Sequence, residues 1–153
     1  MITALDVANT FISKSKEENV DITPMKLQKL IYIMYKNYLQ RTNKKLFSDK
    51  FEVWKYGPVV PSVYQAFKEY RSNAITDYYY SSPDTYSTVK MNKNKNFDDV
   101  FKGVWNKYSE LDGVYLSQLT HRKETAWSLA DERKDLYLAD NDIIRESEYE
   151  IAV

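Results

Sequence analysis

The stretch FEVWKYGPVVPSVYQAFKEY (51–70) decides how this chain folds. It joins an extended aromatic segment (51–56) to an amphipathic helix through a corner made of Gly57, Pro58 and Pro61. Each proline disfavours the helical region for the residue before it, so Gly57 and Val60 are both expected to be extended. Proline also suits the first helical position, where its missing N–H costs nothing, so Pro61 opens a helix. Val63, Tyr64, Phe67 and Tyr70 then recur along one face of that helix. A corner this constrained sets the direction of everything that follows it.

Upstream, Thr3 caps a first helix, with Asp6 in its acidic first turn and Leu5, Ala8, Phe11 and Ile12 as its apolar stripe. After the polar connection SKSKEENVD (13–21), Thr23 and Pro24 mark a second start. The helix that follows carries Leu27, Leu30, Ile31, Met34, Tyr38 and Leu39 at the spacing of one buried face, and reads as the central helix of the core. Lys26, Lys29 and Lys36 are expected to lie mostly off that face. Downstream, residues 72–96 alternate polar and β-prone types around Ser82–Pro83–Asp84. That pattern suggests a short hairpin near 75–92, with an irregular insertion as the alternative. Asn96 is read as the cap of a helix bearing Phe97, Val100, Phe101, Val104, Trp105 and Tyr108. Gly113 stands where a left-handed helix stop would fall, with a β-type loop residue as the alternative, and a short helix begins near Ser117. Thr125 caps a helix with Trp127 and Ala130, and a last one begins near Asp140. The expectation is a mainly α fold: one compact domain over 1–153, with six or seven helices and a short β element.

A chain of 153 residues can bury about 70% of its unfolded surface, so it needs no covalent or metal staple. It has no cysteine, which removes disulfides, thiolate metal sites and cysteine nucleophiles and agrees with a reducing cytoplasm. No apolar run approaches the ~20 residues of a membrane span. MITALDVANT (1–10) lacks the basic and apolar regions of a signal peptide, and a cytoplasmic location with no membrane partner is expected. Lys plus Arg (22) equal Asp plus Glu (22), so there is no bulk attraction to nucleic acid. Lys90, Lys93 and Lys95 beside the tyrosines 78–80 offer a local phosphate-and-stacking surface. NKNKN (92–96) reads better as a solvated loop, and nucleic acid is disfavoured as a partner.

His121 is the single histidine. With Glu124 or Ser117 it could serve as an acid–base group. The weightier reading is structural, with its ring tying the 117–121 turn to the next helix. One histidine and no cysteine make a poor zinc site, and no P-loop or GxGxxG is present, so no metal, cofactor or catalytic set is assigned. The outlier is tyrosine, at 14 residues. Tyr and Trp anchor protein interfaces. Trp54, Tyr56, Tyr78, Tyr79 and Tyr80 are therefore the candidate partner-binding residues, with Trp54 and Tyr56 serving either fold or contact.

Three blocks, ITPMKLQKLIYIMYKNYL (22–39), FEVWKYGPVVPSVYQAFKEY (51–70) and LSQLTHRKETAW (116–127), resemble the Panacea domain in its own order. This is the SocA-like antitoxin domain, found also in phage-associated proteins of the GepA type. The resemblance spans about Leu5 to Ile144 and makes Gly57, Pro58, Val59, Thr120, His121 and Trp127 its structural signature. It implies a mainly helical fold, no enzymatic activity, and an antitoxin that neutralises a cognate toxin by binding it. For the SocA type it also implies delivery of that toxin to a Clp protease. A phage-encoded protein acting on a host defence or regulatory protein is the alternative, and a His121-dependent enzyme the further one. Neither residues nor resemblance assign the oligomeric state.

Overall fold

Thr23 and Pro24 start the helix on which the rest of the chain assembles. In the computed structural model, which describes residues 1–151, it is α2 (Pro24–Thr42), and the Thr23 hydroxyl accepts the Lys26 N–H. Before it runs α1 (Ala4–Glu18), closed at its start by a capping box between Thr3 and Asp6. The 51–60 stretch is a tight hairpin of β1 (Glu52–Trp54) and β2 (Gly57–Val59), antiparallel with Trp54 opposite Gly57, so that Lys55 and Tyr56 form the turn. Pro61 opens α3 (Pro61–Phe67), which tightens into a 3₁₀ turn, Lys68–Tyr70. Then come α4 (Lys95–Tyr108), α5 (Gly113–Thr120), α6 (Ala126–Arg133) and α7 (Asp140–Arg145). Among the described residues the architecture is seven α-helices and one small hairpin, the mainly α fold with a short β element expected from the sequence.

Helix α2 touches α1, α3, α4, α5, α7 and β2. It is therefore enclosed on nearly every side, and thirteen of its nineteen residues are buried. One core results, with Phe11 against Phe101 (4.8 Å between centroids) on the α1–α4 side and Tyr32 edge-on to Phe51 (5.1 Å) on the hairpin side. Burial of this kind, at about 25 cal/mol per Å² of apolar surface, supplies the main stabilisation.

Several expectations are corrected. Lys26, Lys29 and Lys36 do not escape to solvent: they are 6%, 2% and 1% exposed. A helix enclosed all round has no free face on which to place them. Lys26 instead donates to the Ser109 carbonyl (2.5 Å), and Lys36 lies over the Tyr149 ring (4.7 Å). No hairpin forms at 75–92, where Ser82 and Thr85 make only an isolated bridge. The β-prone residues there find no partner strand, and α1 takes that role with side chains. Asn9 donates to the Tyr79 and Ser87 carbonyls (3.0 Å each) and accepts from Tyr79 N–H (2.9 Å), while Thr10 accepts from Val89 N–H (2.8 Å). Asn94, two residues before the expected cap, accepts the Phe97 N–H and starts α4. Gly113 does not stop a helix but opens α5, which therefore starts four residues before Ser117. There it lies against α2 so closely that a Cβ would sit 2.9 Å from Lys26 N. Gly57 is not extended in the ordinary sense either, since its φ is +118°.

Candidate functional site

The proline corner and the start of α2 enclose a groove of about 420 Å³. Pro24, Met25, Leu27, Gln28 and Lys29 of α2 form one wall, and Val63, Tyr64 and Phe67 of α3 the other. The hairpin closes one end with Trp54, Lys55, Tyr56 and Val59, and Arg71 also lines it. Pro61 aims α3 across α2, and Gln28 fixes the angle. Its side chain donates to the Val60 carbonyl (3.1 Å) and accepts the Val60 N–H (3.0 Å), replacing two backbone partners at the bend. The rim is aromatic. Trp54 meets Tyr64 edge-on at 4.9 Å, and Tyr56 and Tyr64 are 55% and 40% exposed.

Lys29 is the unusual member of the lining. Its ammonium donates to the Pro58 carbonyl (2.9 Å) and forms no ion pair among the described residues. Burial away from water penalises the charged form and lowers the lysine pKa to about 7. The hairpin comes this close only because residue 57 has no side chain. A Cβ there would lie 3.1 Å from Lys29 Nζ and 3.2 Å from Thr120 Oγ1, on a backbone with positive φ. Gly57→Ala is therefore expected to cost at least ~1 kcal/mol in a urea melt, through strain and crowding together. An unchanged midpoint would mean that the hairpin is not pinned here.

Three side-chain donors hold the hairpin around its turn: Trp127 Nε1 donates to the Trp54 carbonyl (2.8 Å), Ser117 Oγ to the Tyr56 carbonyl (2.5 Å) and Lys29 Nζ to the Pro58 carbonyl. His121 Nδ1–H donates to the Ser117 carbonyl (2.5 Å), and its ring stands edge-on to Trp127 at 5.2 Å. Residues from two separate blocks of sequence thus hold the turn of the third. The family model described as "Antitoxin SocA-like, Panacea domain" matches residues 27–128, two thirds of the chain and all three of these blocks. The chain belongs to this family. A curated relative, Antitoxin SocA of Caulobacter vibrioides (strain NA1000 / CB15N), is 36% identical over 66 residues, which cover 43% of this chain. The aligned region spans only about a third (35%) of that relative's length. No solved structure matches.

Within this Panacea domain the signature residues have a mechanical explanation. Gly57, Pro58 and Thr120 converge on Lys29. His121 and Trp127 brace the residues that hold the turn, and Val59 lines the groove. The arrangement does not assemble a nucleophile and base. The Ser117 hydroxyl is spent on the Tyr56 carbonyl and stands 3.4 Å from His121 Nδ1, while Glu124 forms no hydrogen bond or ion pair with His121 among the described residues. No group of three or more metal-ligating side chains occurs among the described residues either.

The five candidate partner-binding residues divide between two places. Trp54 and Tyr56 stand on the groove. Tyr78, Tyr79 and Tyr80 do not line it. Tyr78 stacks flat on Tyr86 (4.1 Å, 3°) with Tyr80 edge-on to the same ring (5.5 Å), and Tyr79 is held by its backbone to Asn9. Sequence reading missed Lys29, Arg71 and the exposure of Tyr64. The available signal was the recurrence of lysine at 26, 29 and 36, which falls on one stripe of α2 and not at random around it. The described helices include none long and apolar enough to cross a membrane.

Proposed function

We propose that this chain is an antitoxin that neutralises a toxin in the cytoplasm by direct protein–protein binding, with no chemistry of its own. Its membership of the Panacea family over residues 27–128 carries this reading. The groove supports it, because a half-buried Trp54 beside the exposed Tyr56 and Tyr64 around an apolar depression supplies the residue types of a binding hot spot. The similarity to Antitoxin SocA points the same way. Delivery of the bound toxin to a Clp protease is a separate step that this reading admits, as is a host protein in place of the toxin.

The test is co-expression with the product of the adjacent gene. Rescue of growth together with a purified complex is expected, and rescue should persist in a folded His121→Ala protein. If neither complex nor rescue is obtained, the antitoxin reading is wrong for this chain. A toxin that falls in abundance only when a Clp protease is present would add the adaptor step. A folded His121→Ala protein that still binds but no longer rescues would transfer the function to an enzyme.

A further inference from the structure

We propose that the groove between α2 and α3 takes an acidic, apolar segment of the partner protein: an apolar side chain seated against Val63 and Phe67, with a carboxylate beside it. The proposal rests on the antitoxin reading and names the surface and chemistry through which that binding would occur.

The charge of the lining is one-sided. The thirteen residues that form it include three cations, Lys29, Lys55 and Arg71, and no aspartate or glutamate. This stands out in a chain whose charges otherwise balance. The remaining lining is mostly aromatic or aliphatic, so an occupant has to match both properties. Glu52, the carboxylate on the hairpin, accepts the Trp54 indole N–H (2.9 Å) and lies outside the lining. Some cations elsewhere do have carboxylate partners: Arg133 meets Asp142 at 2.7 Å, Lys107 meets Glu148 at 2.7 Å and Arg41 meets Asp99 at 3.0 Å. None of the three groove cations has such a pair among the described residues, and Lys55 lies only over the Tyr56 ring. A buried ammonium with three donors and one carbonyl acceptor keeps unused capacity for an anion.

The backbone adds a second, independent observation. Arg71 is held at φ 56°, ψ −115°, a conformation that L side chains rarely adopt, with its N–H on the Lys68 carbonyl (3.1 Å). Strained non-glycine positions persist where the surroundings over-determine them, and they cluster at ligand clamps. Here the strained residue is also an exposed, unpaired arginine on the groove. Arginine is the side chain best suited to a two-point contact with a carboxylate. A cavity of about 420 Å³ falls within the range of ligand-sized sites.

Lys55 and Arg71 are exposed, so Lys55→Glu/Arg71→Glu can be made without opening the core. In a titration against the purified product of the adjacent gene, this double variant should bind at least about tenfold more weakly, as expected for charge pairs across an interface. Lys102→Glu/Lys123→Glu, the same change of charge away from the groove, should stay within about twofold. Equal loss in both variants, or none in the first, overturns the proposal. Should no complex form even with the unmodified chain, the antitoxin reading fails alone. The groove is then judged with 8-anilinonaphthalene-1-sulfonate, a bulky apolar anion, against N-phenyl-1-naphthylamine, which lacks the sulfonate. The anion is expected to shift the Trp54 indole and Val63 methyl NMR signals and to lose affinity in Lys55→Glu/Arg71→Glu, the neutral compound to lose none. Parallel loss of both compounds, or shifts confined to other residues, refutes an acidic-apolar site. Displacement of the anion by oligo(dT) would replace the proposal with a nucleic-acid site.

Discussion

Lys29→Met is expected to stabilise the fold by about 2 kcal/mol at neutral pH, an unusual direction for a substitution in the core. The lowering of the Lys29 pKa from 10.5 to about 7 corresponds to about 5 kcal/mol of penalty on its charged form. Methionine fills a similar volume and removes that penalty. It also leaves the Pro58 carbonyl without its donor, which offsets about 1–3 kcal/mol. Replacing buried charge with apolar side chains elsewhere gives gains of this order. The pH dependence makes the test specific. Because the folded-state pKa lies below the unfolded one, the unfolded chain binds the proton more tightly. The destabilisation is therefore full below about pH 7 and fades as pH rises from about 7 towards 10.5. Urea melts of both proteins across that interval isolate the lysine, since their difference cancels Lys26, Lys36 and every other titrating group. The gap between the two curves should close as pH rises and change sign before pH 10.5, where only the lost Pro58 hydrogen bond still separates them. A constant gap would show that Lys29 is not desolvated. The same variant should bind the acidic partner more weakly, making the lysine a case of stability given up for function.

Glu146→Ala is expected to act in the opposite direction, costing about 3–5 kcal/mol or preventing folding. The carboxylate is 5% exposed and accepts from Tyr32 OH (2.8 Å), the Ala126 N–H (2.7 Å) and, through its other oxygen, Tyr149 OH. Burial, reinforced by this carboxylate, holds both tyrosine hydroxyls well above their ordinary pKa, so they remain donors. One side chain thus joins the middle of α2, the first turn of α6 and the segment after α7. Its loss strands three buried donors at about 1–3 kcal/mol each, partly relieved by water. Glu146→Gln, which keeps an acceptor but introduces a competing donor, should lose about half as much. A urea melt measures both. Hydrogen exchange should also show the start of α6 opening first, and an alanine variant within ~1 kcal/mol of the parent would contradict this account.

What the sequence made legible was local. Thr3, Thr23 and Thr125 each cap the helix they were expected to cap, because a hydroxyl and the next few backbone N–H groups need no tertiary information. The α4 stripe from Phe97 to Tyr108 is buried as its period required. The failures share a cause, which is that each depended on a distant partner. Gly113 resembles a helix stop until the α2 backbone beside it is known. Residues 75–92 have strand-like alternation, but it is Asn9, about seventy residues earlier, that satisfies their backbone. Glu146, which no local pattern singles out, gains its role only when Tyr32 and Ala126 are brought to it. At the candidate site, Trp54 and Tyr56 could be named because their residue types are informative alone. Lys29 could not, since a lysine on a helix is ordinarily a solvated one.

Helix α2 has a consequence for how the chain is handled before it folds. A helix of nineteen residues with thirteen of them buried, written wholly in apolar side chains, would match the ~20 residues of a bilayer span. An emerging chain carrying it would present an insertion signal to the secretion machinery. Lys26, Lys29, Lys36 and Arg41 interrupt that signal, since a lysine or arginine costs roughly 2.5–3.5 kcal/mol at the centre of a membrane-inserted helix, where Lys29 and Lys36 fall nearest. The buried lysines therefore also keep this central helix from being apolar enough to cross a membrane.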